Sequence, residues 1–474
     1  MNPSMEQRYL ERLNRFVTAL RNEKPDCVPI RPFAAEFVAR YAGYTCQEVT
    51  HDFNKAFDAT RKTLSDFDWD AAPGSMVYVW TGLTQALGLR YYGIPGIDVP
   101  PDTGFQYLEP PANQSFMRED EYDQLIEDPT AFLYNVWLPR ASRAIEPVGG
   151  TVTANHNYAL VKGAMAMMNY FNAFPVQGAR MREECGTASA ISGIFKAPFD
   201  IIGDKLRGYE GLTMDMLVQP EKVLAACEAL MPHLYQMALS GADPDGHVPI
   251  GFWMHRGCVP FITPEQFRSH YWPTLKPIIE ELWAHGHQTM FYAEGNWDYH
   301  LDTFAELPER SILFHVDRSN LERAHKSLGH KFCLSGGVPN TVLSYGSPDE
   351  VRDACKKVID IAARDGGFIM DASAILQNDA KPENLRIFTE CTREYGQYGG
   401  SPRAEMPPRV NDGQIADGPP RAFPPDPRAG ACIPWEHYKN ELPSLTGDEA
   451  IVKRVWQEVD GLGYIFIWHC LLSF

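Results

Sequence analysis

The segment that most constrains the fold is residues 288–296, QTMFYAEGN, an apolar run that stops on a carboxylate. It predicts a buried strand that ends at Glu294. Three more strand-like runs follow, at residues 311–317, 331–340 and 366–373, each with a helical segment after it. Strands that alternate with helices predict a parallel sheet, whose chemistry sits at the carboxyl ends of the strands. We therefore expect a polar rim on an apolar barrel, with these side chains on it: Glu294, His315, Asp317, Asn340 and Asp371.

Four earlier segments bring the predicted strand count to eight. They are residues 28–33, 66–70, 189–195 and 247–254. The chain has 474 residues, more than an average domain, but one (βα)8 barrel with insertions reaches this size. We therefore predict an α/β fold, a (βα)8 TIM barrel.

Two regions depart from the alternating pattern. Residues 90–115 are rich in Pro, Gly and Tyr, which predicts an excursion or hairpin above the barrel, and residues 130–185 are mostly helical. Residues 396–434 are dense in Pro and Gly and predict an extended arm, before a helix resumes at residues 446–460. We predict a barrel domain over 1–400, with an insertion at about 90–185, and an arm with a C-terminal helix and tail over 401–474.

Composition narrows the class of protein. A net charge of −18 argues against nucleic-acid binding by a basic surface. The ten cysteines form no CxxC pair, and the N-terminus is too charged for an export signal, so we expect a reduced cytoplasmic protein. No apolar run of about 18 residues is present, so no membrane span is expected. The last fourteen residues are apolar but too short to cross, and we expect them to dock on the body or on a second subunit of a homodimer.

Two residues at strand ends are candidates for acid catalysis. Glu294 is a candidate general acid or oxygen ligand for a metal, and the alternative is a carboxylate paired with an arginine at the rim. His255 follows the apolar run GFWM and has the chemistry of a proton donor near neutral pH or of a metal ligand. A hydrogen-bonded structural histidine is the alternative for His255.

His315 and Asp317 alternate along one strand and therefore face the same side. If that side is the barrel interior, both converge with Glu294, and Asp317 is then a third candidate catalytic residue. A mixed histidine and carboxylate site, with Glu294 and His315 as ligands, suits Zn²⁺ or another divalent ion. The alternative is a buried hydrogen bond between the histidine and a carboxylate.

The remaining candidates are substrate-binding residues. Asp68 and Asp70 are predicted at the end of the second strand, Arg31 near the end of the first, and Asn340 on the rim. Four aromatic residues are candidates to line an apolar cleft for a flat ring or a corrin face: Phe33, Trp253, Tyr292 and Trp297. Core packing is the alternative for these aromatic residues.

Several short motifs occur in a characteristic order. They are PDCVPI (25–30), APFD (197–200) with LRG (206–208), ITPEQF (262–267), SGGVP (335–339), GGFI (366–369) and KPEN (381–384). In order and spacing they resemble the uroporphyrinogen decarboxylase superfamily, specifically its longer, methyltransferase-like branch, over roughly residues 8–400. The resemblance implies a (βα)8 barrel with a deep cleft at the strand C-termini.

The family includes porphyrinogen decarboxylases and corrinoid-dependent methyltransferases, and this chain departs from both patterns. The methyltransferases typically have His-x-Cys at the fifth strand end and a Cys at the eighth, whose thiolates hold zinc. In this chain Tyr292 and Glu294 stand where the fifth strand would carry His and Cys. The end of the eighth strand, residues 371–374, contains no Cys. A thiolate zinc site, with transfer to a thiol, is therefore not expected. The decarboxylases' arginine-rich motif is also missing, since Arg31 is the one arginine in the opening strand.

Three hypotheses follow for the function. The first is a methyltransferase that moves a methyl group from a small donor, such as a methoxylated aromatic, to the cobalt of a corrinoid carried by a partner protein, which the acidic surface and the arm would dock. The second is a metal-independent decarboxylase or lyase, in which Arg31 or Arg256 holds a carboxylate and Asp68 or Asp70 stabilises positive charge. The third is a non-catalytic barrel that binds a tetrapyrrole or a corrinoid protein.

Overall fold

A computed structural model describes residues 3–75 and 81–472 of the chain, and its strands are short. They are β1 (Ala71–Ala72), β2 (Tyr92–Gly93), β3 (Gln106–Tyr107), β4 (Ala188–Ser189), β5 (Ile194–Lys196), β6 (Ile250–Met254), β7 (Thr289–Ala293), β8 (Ile312–Val316), β9 (Cys333–Gly336) and β10 (Phe368–Ile369). The largest sheet has six parallel strands in the order β10-β9-β8-β7-β6-β5. Successive strands are neighbours, as the alternation of strands and helices predicts.

Backbone hydrogen bonds continue this sheet into a ring. The Arg31 N–H donates to the Met370 carbonyl at 3.0 Å, which joins the extended first segment to the end of β10. The Asp70 N–H donates to the Ile30 carbonyl at 2.8 Å, which joins that segment to the residues before β1. β1 pairs in parallel with β4, which leads directly into β5. The predicted (βα)8 barrel is confirmed.

Helices surround the ring and fill its connections. They are α1 (Pro3–Leu20), α2 (Glu36–Ala42), α3 (Cys46–His51), α4 (Phe53–Asp66), α5 (Thr81–Leu87), α6 (Tyr122–Glu127), α7 (Pro129–Phe132), α8 (Leu138–Ala141), α9 (Ala154–Arg180), α10 (Pro198–Ile201), α11 (Gly208–Val218), α12 (Pro220–Ser240), α13 (Pro264–Gln266), α14 (Trp272–Ala284), α15 (Leu301–Phe304), α16 (Leu321–Leu328), α17 (Asn340–Tyr345), α18 (Pro348–Ala362), α19 (Pro382–Tyr395), α20 (Trp435–Tyr438) and α21 (Glu449–Leu472). π-helical turns connect or extend several of them, at Leu133–Trp137, Met181–Cys185, Ile202–Leu206 and Phe267–Tyr271, and Ala112–Gln114 is a 3₁₀ turn.

The helix that follows β6 begins where its sequence predicts. Thr263 accepts a hydrogen bond from the Gln266 backbone N–H, and the Gln266 side chain accepts one from the Thr263 N–H. This capping box satisfies two amide groups that the first helical turn leaves without partners, and Pro264 at the first position lacks an amide hydrogen. The local sequence therefore determines where the chain turns back from the barrel mouth.

Alternation along the strands separates two cores. One set of strand side chains packs outward against the helices, and it includes Phe195, Phe252, Phe291, Phe314 and Leu334. The other set fills the barrel interior, and it includes Trp253, Met290, Tyr292, Leu313 and Cys333. Since side chains of a strand alternate between its faces, the residues two positions beyond the inner set point to the barrel mouth.

The second predicted strand is misplaced. The strand is β1 at Ala71–Ala72, not residues 66–70. Asp68 and Asp70 therefore lie before the strand, at the amino end of the barrel. There Asp70 forms ion pairs with Arg15 at 2.5 Å and Arg393 at 2.9 Å. The alternating signal of a two-residue strand is too short to locate it from sequence.

The insertion and the extension take the forms that the sequence predicts. β2 and β3 pair antiparallel as a hairpin within residues 90–115. Residues 401–434 form no regular helix or strand. Their first part lies at the amino end of the barrel, where Arg409 donates to the Pro244 carbonyl at 2.7 Å, and their later part packs on α12, where Asp426 lies 3.7 Å from His233. The apolar tail continues α21 and docks on the body, where the Trp468 indole donates to Thr130 at 3.1 Å. The division into domains at residue 400 stays a prediction. Among the described residues, every helix is too short or too polar to cross a membrane.

Candidate active site

The pairing of strands places three polar side chains on one level of the barrel mouth. Trp253 pairs with Tyr292, and Tyr292 with His315, so these three residues share a level inside the barrel. Two positions further along the same strands come His255, Glu294 and Asp317. The predicted convergence of Glu294 and Asp317 at the mouth therefore agrees with the register.

His255 and Glu294 form the centre of the site. The Nε2 atom of His255 lies 3.2 Å from Oε2 of Glu294, and its Nδ1 atom lies 2.6 Å from Oδ2 of Asp204. The Glu294 side chain is 39% exposed and that of His255 is 26% exposed. The imidazole is thus held between a buried carboxylate and one that faces the solvent at the barrel mouth.

Asp204 connects three cationic side chains. Beside its contact with His255, its Oδ2 atom accepts a hydrogen bond from Lys196 at 2.8 Å, and its Oδ1 atom accepts one from Arg256 Nε at 2.7 Å. Arg256 also donates to Glu109, which follows the β2–β3 hairpin, at 2.7 Å. The inserted hairpin therefore contributes a carboxylate to the edge of the site.

Asp200 binds the backbone of the turn that contains His255. Its carboxylate accepts hydrogen bonds from the backbone amides of His255 at 3.2 Å and Arg256 at 2.7 Å. The buried Tyr271 hydroxyl donates to the same carboxylate at 2.9 Å. The turn after β6 is thereby held against α10, and so is the direction of the His255 side chain.

The neighbouring charges keep His255 protonated at neutral pH. Burial and the charge of Lys196 disfavour the imidazolium, but Asp204 and Glu294 outweigh them and raise the pKa of His255 to about 9. Burial alone would raise the pKa of Asp204, yet Lys196, His255 and Arg256 hold it well below its usual value. Burial and the nearby charge of Asp204 raise the pKa of Asp200. The site therefore holds a charged acid of moderate strength.

Asp317 borders Glu294 but does not bind His255 among the described contacts. Its Oδ2 atom accepts a hydrogen bond from the Gly295 amide at 2.8 Å. Burial raises the pKa of Asp317 against the effect of that hydrogen bond, and the charge of Glu294 adds to the increase. Its contact with Gly295 orients the turn that carries Glu294.

Arg31 and Asp371 lie inside the barrel rather than on an open surface. Arg31 is fully buried, forms an ion pair with Asp371 at 3.0 Å and donates to Ser335 at 2.9 Å. Burial raises the pKa of Asp371 to about 7, although Arg31 opposes that increase. The expectation that Arg31 binds a substrate carboxylate is not supported, because its guanidinium is enclosed and already paired.

The aromatic residues that were predicted to line an open cleft are instead buried inside the barrel, beneath the site. Trp253 is 2% exposed, and Tyr292 and Phe33 are fully buried. The rings of Trp253 and Tyr292 stack at 5.6 Å, and Phe33 packs on Tyr292 at 5.2 Å. Core packing, the alternative that the sequence left open, therefore describes these residues, and the fully buried Trp297 as well.

The predicted metal pair of Glu294 and His315 is not assembled. His315 uses Nδ1 for Ser335 Oγ at 3.0 Å and Nε2 for the Ser373 carbonyl at 3.1 Å, and its ring stacks on Tyr292 at 4.2 Å. Burial and the charge of Arg31 lower its pKa to about 3, so the imidazole is neutral. In residues 3–75 and 81–472, no three His, Cys, Asp or Glu side chains are arranged to hold a metal. The residues do not fit the zinc site.

Asn340, Asp68 and Asp70 do not reach the site. The Asn340 side chain donates to the carbonyls of Ala374 and Ile375 at 3.1 and 3.0 Å, and so fastens the loop after β10. The expected role of Asp68 and Asp70 at the mouth is wrong, because both lie at the opposite end of the barrel. Asp68 binds Arg12 there at 2.6 Å.

Sequence reasoning missed Lys196, Asp200 and Asp204 as site residues. Lys196 directly follows the predicted strand at residues 189–195, and the two aspartates come after it at a spacing of four, which places them on one helix face. This spacing could have identified the three residues as candidates for the site. No sequence pattern indicates Glu109, since it lies about 150 residues before Arg256 in an irregular, Pro-rich segment.

Comparisons with known proteins agree with this fold. Residues 178–395 match the family model described as uroporphyrinogen decarboxylase (URO-D). The structure is similar to that of a methyltransferase from Methanosarcina mazei, with a TM-score of 0.54, 15% identity, and coverage of 81% of this chain and 98% of that chain. A B12-independent methionine synthase from Shewanella sp. W3-18-1, in complex with selenomethionine, gives a TM-score of 0.37 and 10% identity over 78% and 97% of the two chains. No curated protein matches the chain.

The matched region begins before β4 and ends with α19, so it contains six of the eight barrel strands as well as His255, Glu294 and Asp204. At 15% identity the similarity to the Methanosarcina mazei structure establishes the fold alone. The site therefore lies in the part of the chain that matches the uroporphyrinogen decarboxylase family model.

Proposed function

We propose that this chain is a methyltransferase that moves a methyl group from a small oxygen-bound donor to the cobalt of a corrinoid carried by a partner protein. The observation that carries the proposal is the His255–Glu294 pair at the barrel mouth, 3.2 Å apart and partly open to solvent. In barrels of this kind, chemistry takes place at this end of the strands. The fold is also that of a solved methyltransferase, although that likeness alone does not assign an activity.

The difficult part of such a transfer is the departure of oxygen. An alkoxide or phenoxide leaves poorly, so the oxygen needs a proton as its bond to the methyl carbon breaks. His255, with a pKa of about 9, carries that proton at neutral pH. Protonated His255 donates it to the leaving oxygen, and the product is an alcohol or phenol.

Bonds and charges balance in this scheme. The carbon–oxygen bond of the donor breaks, and its electron pair stays on the oxygen that receives the proton. The cobalt(I) corrinoid supplies the electron pair that binds the methyl carbon. His255 is left neutral between Asp204 and Glu294 and takes up a proton from solvent, to which Glu294 is open.

Asp204 and Glu294 have different roles. Asp204 is buried and fixes the ring of His255 through Nδ1, so that Nε2 points toward the mouth. Glu294 is 39% exposed and stabilises the imidazolium from the solvent side. A donor that enters the mouth meets Nε2 and Glu294 first.

A small apolar recess of about 30 Å³ lies beside Arg256. Its walls include Phe199, Tyr209, Leu212 and Phe261. The Tyr209 and Phe261 rings meet edge to face at 5.0 Å, and the Arg256 guanidinium lies 5.2 Å from the Phe261 ring. At this volume the recess has room for the methoxy group of a donor and not for a whole aromatic ring.

The partner protein would approach the carboxyl end of the barrel. The first part of the Pro-rich arm lies at the amino end, where Asn411 donates to the Trp283 carbonyl at 2.5 Å, and its later part packs on α12. The suggestion that the arm docks the partner therefore has no support in its position. We assign no step to a metal ion, because the predicted ligands do not fit one.

The test is methyl transfer to free cobalamin. The purified protein is incubated with a panel of methoxylated phenols and benzoates, with methanol and with chemically reduced cobalamin, and methylcobalamin is followed by its absorbance. We expect methylcobalamin with at least one donor and a loss of about 100-fold or more in His255→Gln.

His285→Gln is the matched control, because His285 lies at the amino end of the barrel, where it binds the Gly418 carbonyl. It should retain the activity of the parent protein. No methylcobalamin from any donor would contradict the proposal, and carbon dioxide release from carboxylated pyrroles would support the decarboxylase alternative instead.

A further inference from the structure

Two helices outside the barrel expose regular apolar stripes. The α9 stripe consists of Tyr158, Val161, Met165 and Met168, which are 66%, 57%, 59% and 52% exposed. The α21 stripe consists of Val452, Val455, Val459 and Leu462, which are 37%, 49%, 61% and 56% exposed. Single exposed apolar residues are ordinary, but two ordered rows of four indicate an interaction surface.

The two stripes have the same spacing. In each, the four residues follow one another at intervals of three, four and three. Ten residues of helix span about 15 Å, so the stripes are equal in length. Apolar residues at alternating intervals of three and four form a row on one side of a helix, and one helix packs on another along such a row. We call the contact between two such rows a seam. The surface that each stripe fits is therefore a second helix.

Within one copy of the chain the stripes do not cover each other. α9 packs its opposite face on α5, where Gly163 lies against Leu83 and Leu87. α21 buries its last turns, from Tyr464 to Leu472, and leaves the preceding half exposed. The Phe171 ring lies 4.6 Å from the His469 ring, so the two helices are neighbours on one side of the molecule.

We propose that this side binds a second copy of the chain, with the α9 stripe of each copy packed on the α21 stripe of the other. If the two copies are related by a two-fold axis, the same contact forms twice, once for each pair of helices. All four stripes of the dimer are then covered, and the interface is closed and self-complementary. The eight side chains expose on the order of 800 Å² per copy, which is the area that a standard protein interface buries on each partner.

Charge supports the same pairing. α9 carries Lys162 and Arg180 and no acidic residue, in a chain with a net charge of −18. The exposed half of α21 carries three acidic residues, Glu449, Glu458 and Asp460, and two basic ones, Lys453 and Arg454, so it is weakly acidic. Lys162 stands beside Val161 and Glu458 beside Val459, which places one pair of opposite charges beside the two seams. Elsewhere, two copies of so acidic a chain repel each other.

The experiment measures the mass of the full-length protein by size-exclusion chromatography with light scattering. We expect a dimer for the parent chain and a monomer for both Met165→Glu and Val455→Glu, because each variant introduces two charges into the dimer, one in each seam. Leu217→Glu is the matched control: Leu217 is 71% exposed on α11, outside the stripes, and its variant should stay dimeric. Since all three positions are exposed, circular dichroism should show unchanged folding.

A mixing experiment tests which helices meet. Equal amounts of Met165→Lys and Val455→Glu, each a monomer alone, should form a mixed dimer with one parent seam and one seam that joins lysine to glutamate. A monomeric parent chain, a dimer that survives both glutamate variants, or a dimer that only one of them disrupts would each overturn the proposal. Failure of the mixture to dimerise would also overturn it.

Discussion

His255 Nε2 and Glu294 Oε2 are 3.2 Å apart, at the ends of two adjacent parallel strands. Their positions follow from the strand register, which pairs Trp253 with Tyr292 two residues earlier on each strand. A one-residue slip of either strand would turn one of the two side chains into the outer core. The pair therefore depends on the whole sheet and not on either loop alone.

The activity should depend on pH through His255. Because its pKa is raised to about 9, His255 is protonated at neutral pH and loses its proton as the pH rises through 9. We expect kcat/KM for methyl transfer to fall above about pH 9 and that decline to be absent in His255→Gln, whose residual activity is flat there. A pH–rate profile of both proteins, with a fixed donor, measures this. A decline centred near pH 6.5, the usual value for histidine, would contradict the assignment.

Stability should change in the same pH range. A histidine whose pKa is higher in the folded than in the unfolded state stabilises the fold fully below about pH 6.5, and this stabilisation is lost as the pH rises to 9. The contribution is at most about 3 kcal/mol. Urea unfolding at pH 6 and pH 9 should show a larger drop for the parent chain than for His255→Gln. Equal drops would show that His255 is not held as an imidazolium.

Asp204→Asn should weaken His255 as an acid-base group at neutral pH. The substitution removes the charge that faces Nδ1 at 2.6 Å and leaves Lys196 and Arg256 with one buried partner fewer. We expect the pKa of His255 to fall, the active pH range to move to lower pH and the free energy of unfolding to drop by about 3–5 kcal/mol.

An NMR titration of the His255 ring measures the pKa directly and separates it from a general loss of fold. Asp298→Asn is the comparison, because Asp298 forms an ion pair with Arg323 at 3.7 Å and none of the described contacts joins it to His255. It should leave the titration of His255 unchanged. A His255 pKa that stays near 9 in Asp204→Asn would show that Glu294 alone sustains the charge.

Arg31→Ala should destabilise the barrel strongly. It leaves Asp371 without its cation inside the barrel, and Ser335 without its guanidinium donor. We expect a loss of about 3–5 kcal/mol by chemical unfolding, because the buried Asp371 carboxyl then has no cationic partner. Arg403→Ala, at an exposed position of the arm, should change stability by less than about 0.5 kcal/mol. Similar losses in the two variants would mean that the Arg31–Asp371 pair has no special role.

The barrel was predictable because its signals are local and repeated. Seven of the eight predicted strands overlap the strands or the bridged segment of the structure, and strongly apolar runs such as the one before Glu294 mark them clearly. The second strand was misplaced because two alanines carry no periodic pattern. The hairpin and the arm were recognisable from Pro and Gly, which exclude long regular elements.

The site was only partly predictable. The sequence indicates that Glu294, His255 and Asp317 end strands, and that His315 and Asp317 face one way, because alternation is a property of each strand by itself. It does not show that Arg31 and His315 are enclosed, nor that Trp253 and Tyr292 form a floor. Burial depends on how eight strands close around one axis, and no single strand contains that information.

The sequence by itself determined the fold class, the order of the strands and the polar residues at their ends, since each follows from short-range periodicity and turn chemistry. Only the tertiary structure decided that Asp204 and Lys196 meet His255, that Glu109 reaches Arg256, and that Asp68 and Asp70 lie at the opposite end of the barrel. These contacts join residues far apart in the chain, and they form because the closed sheet brings its strand ends together regardless of their distance in sequence.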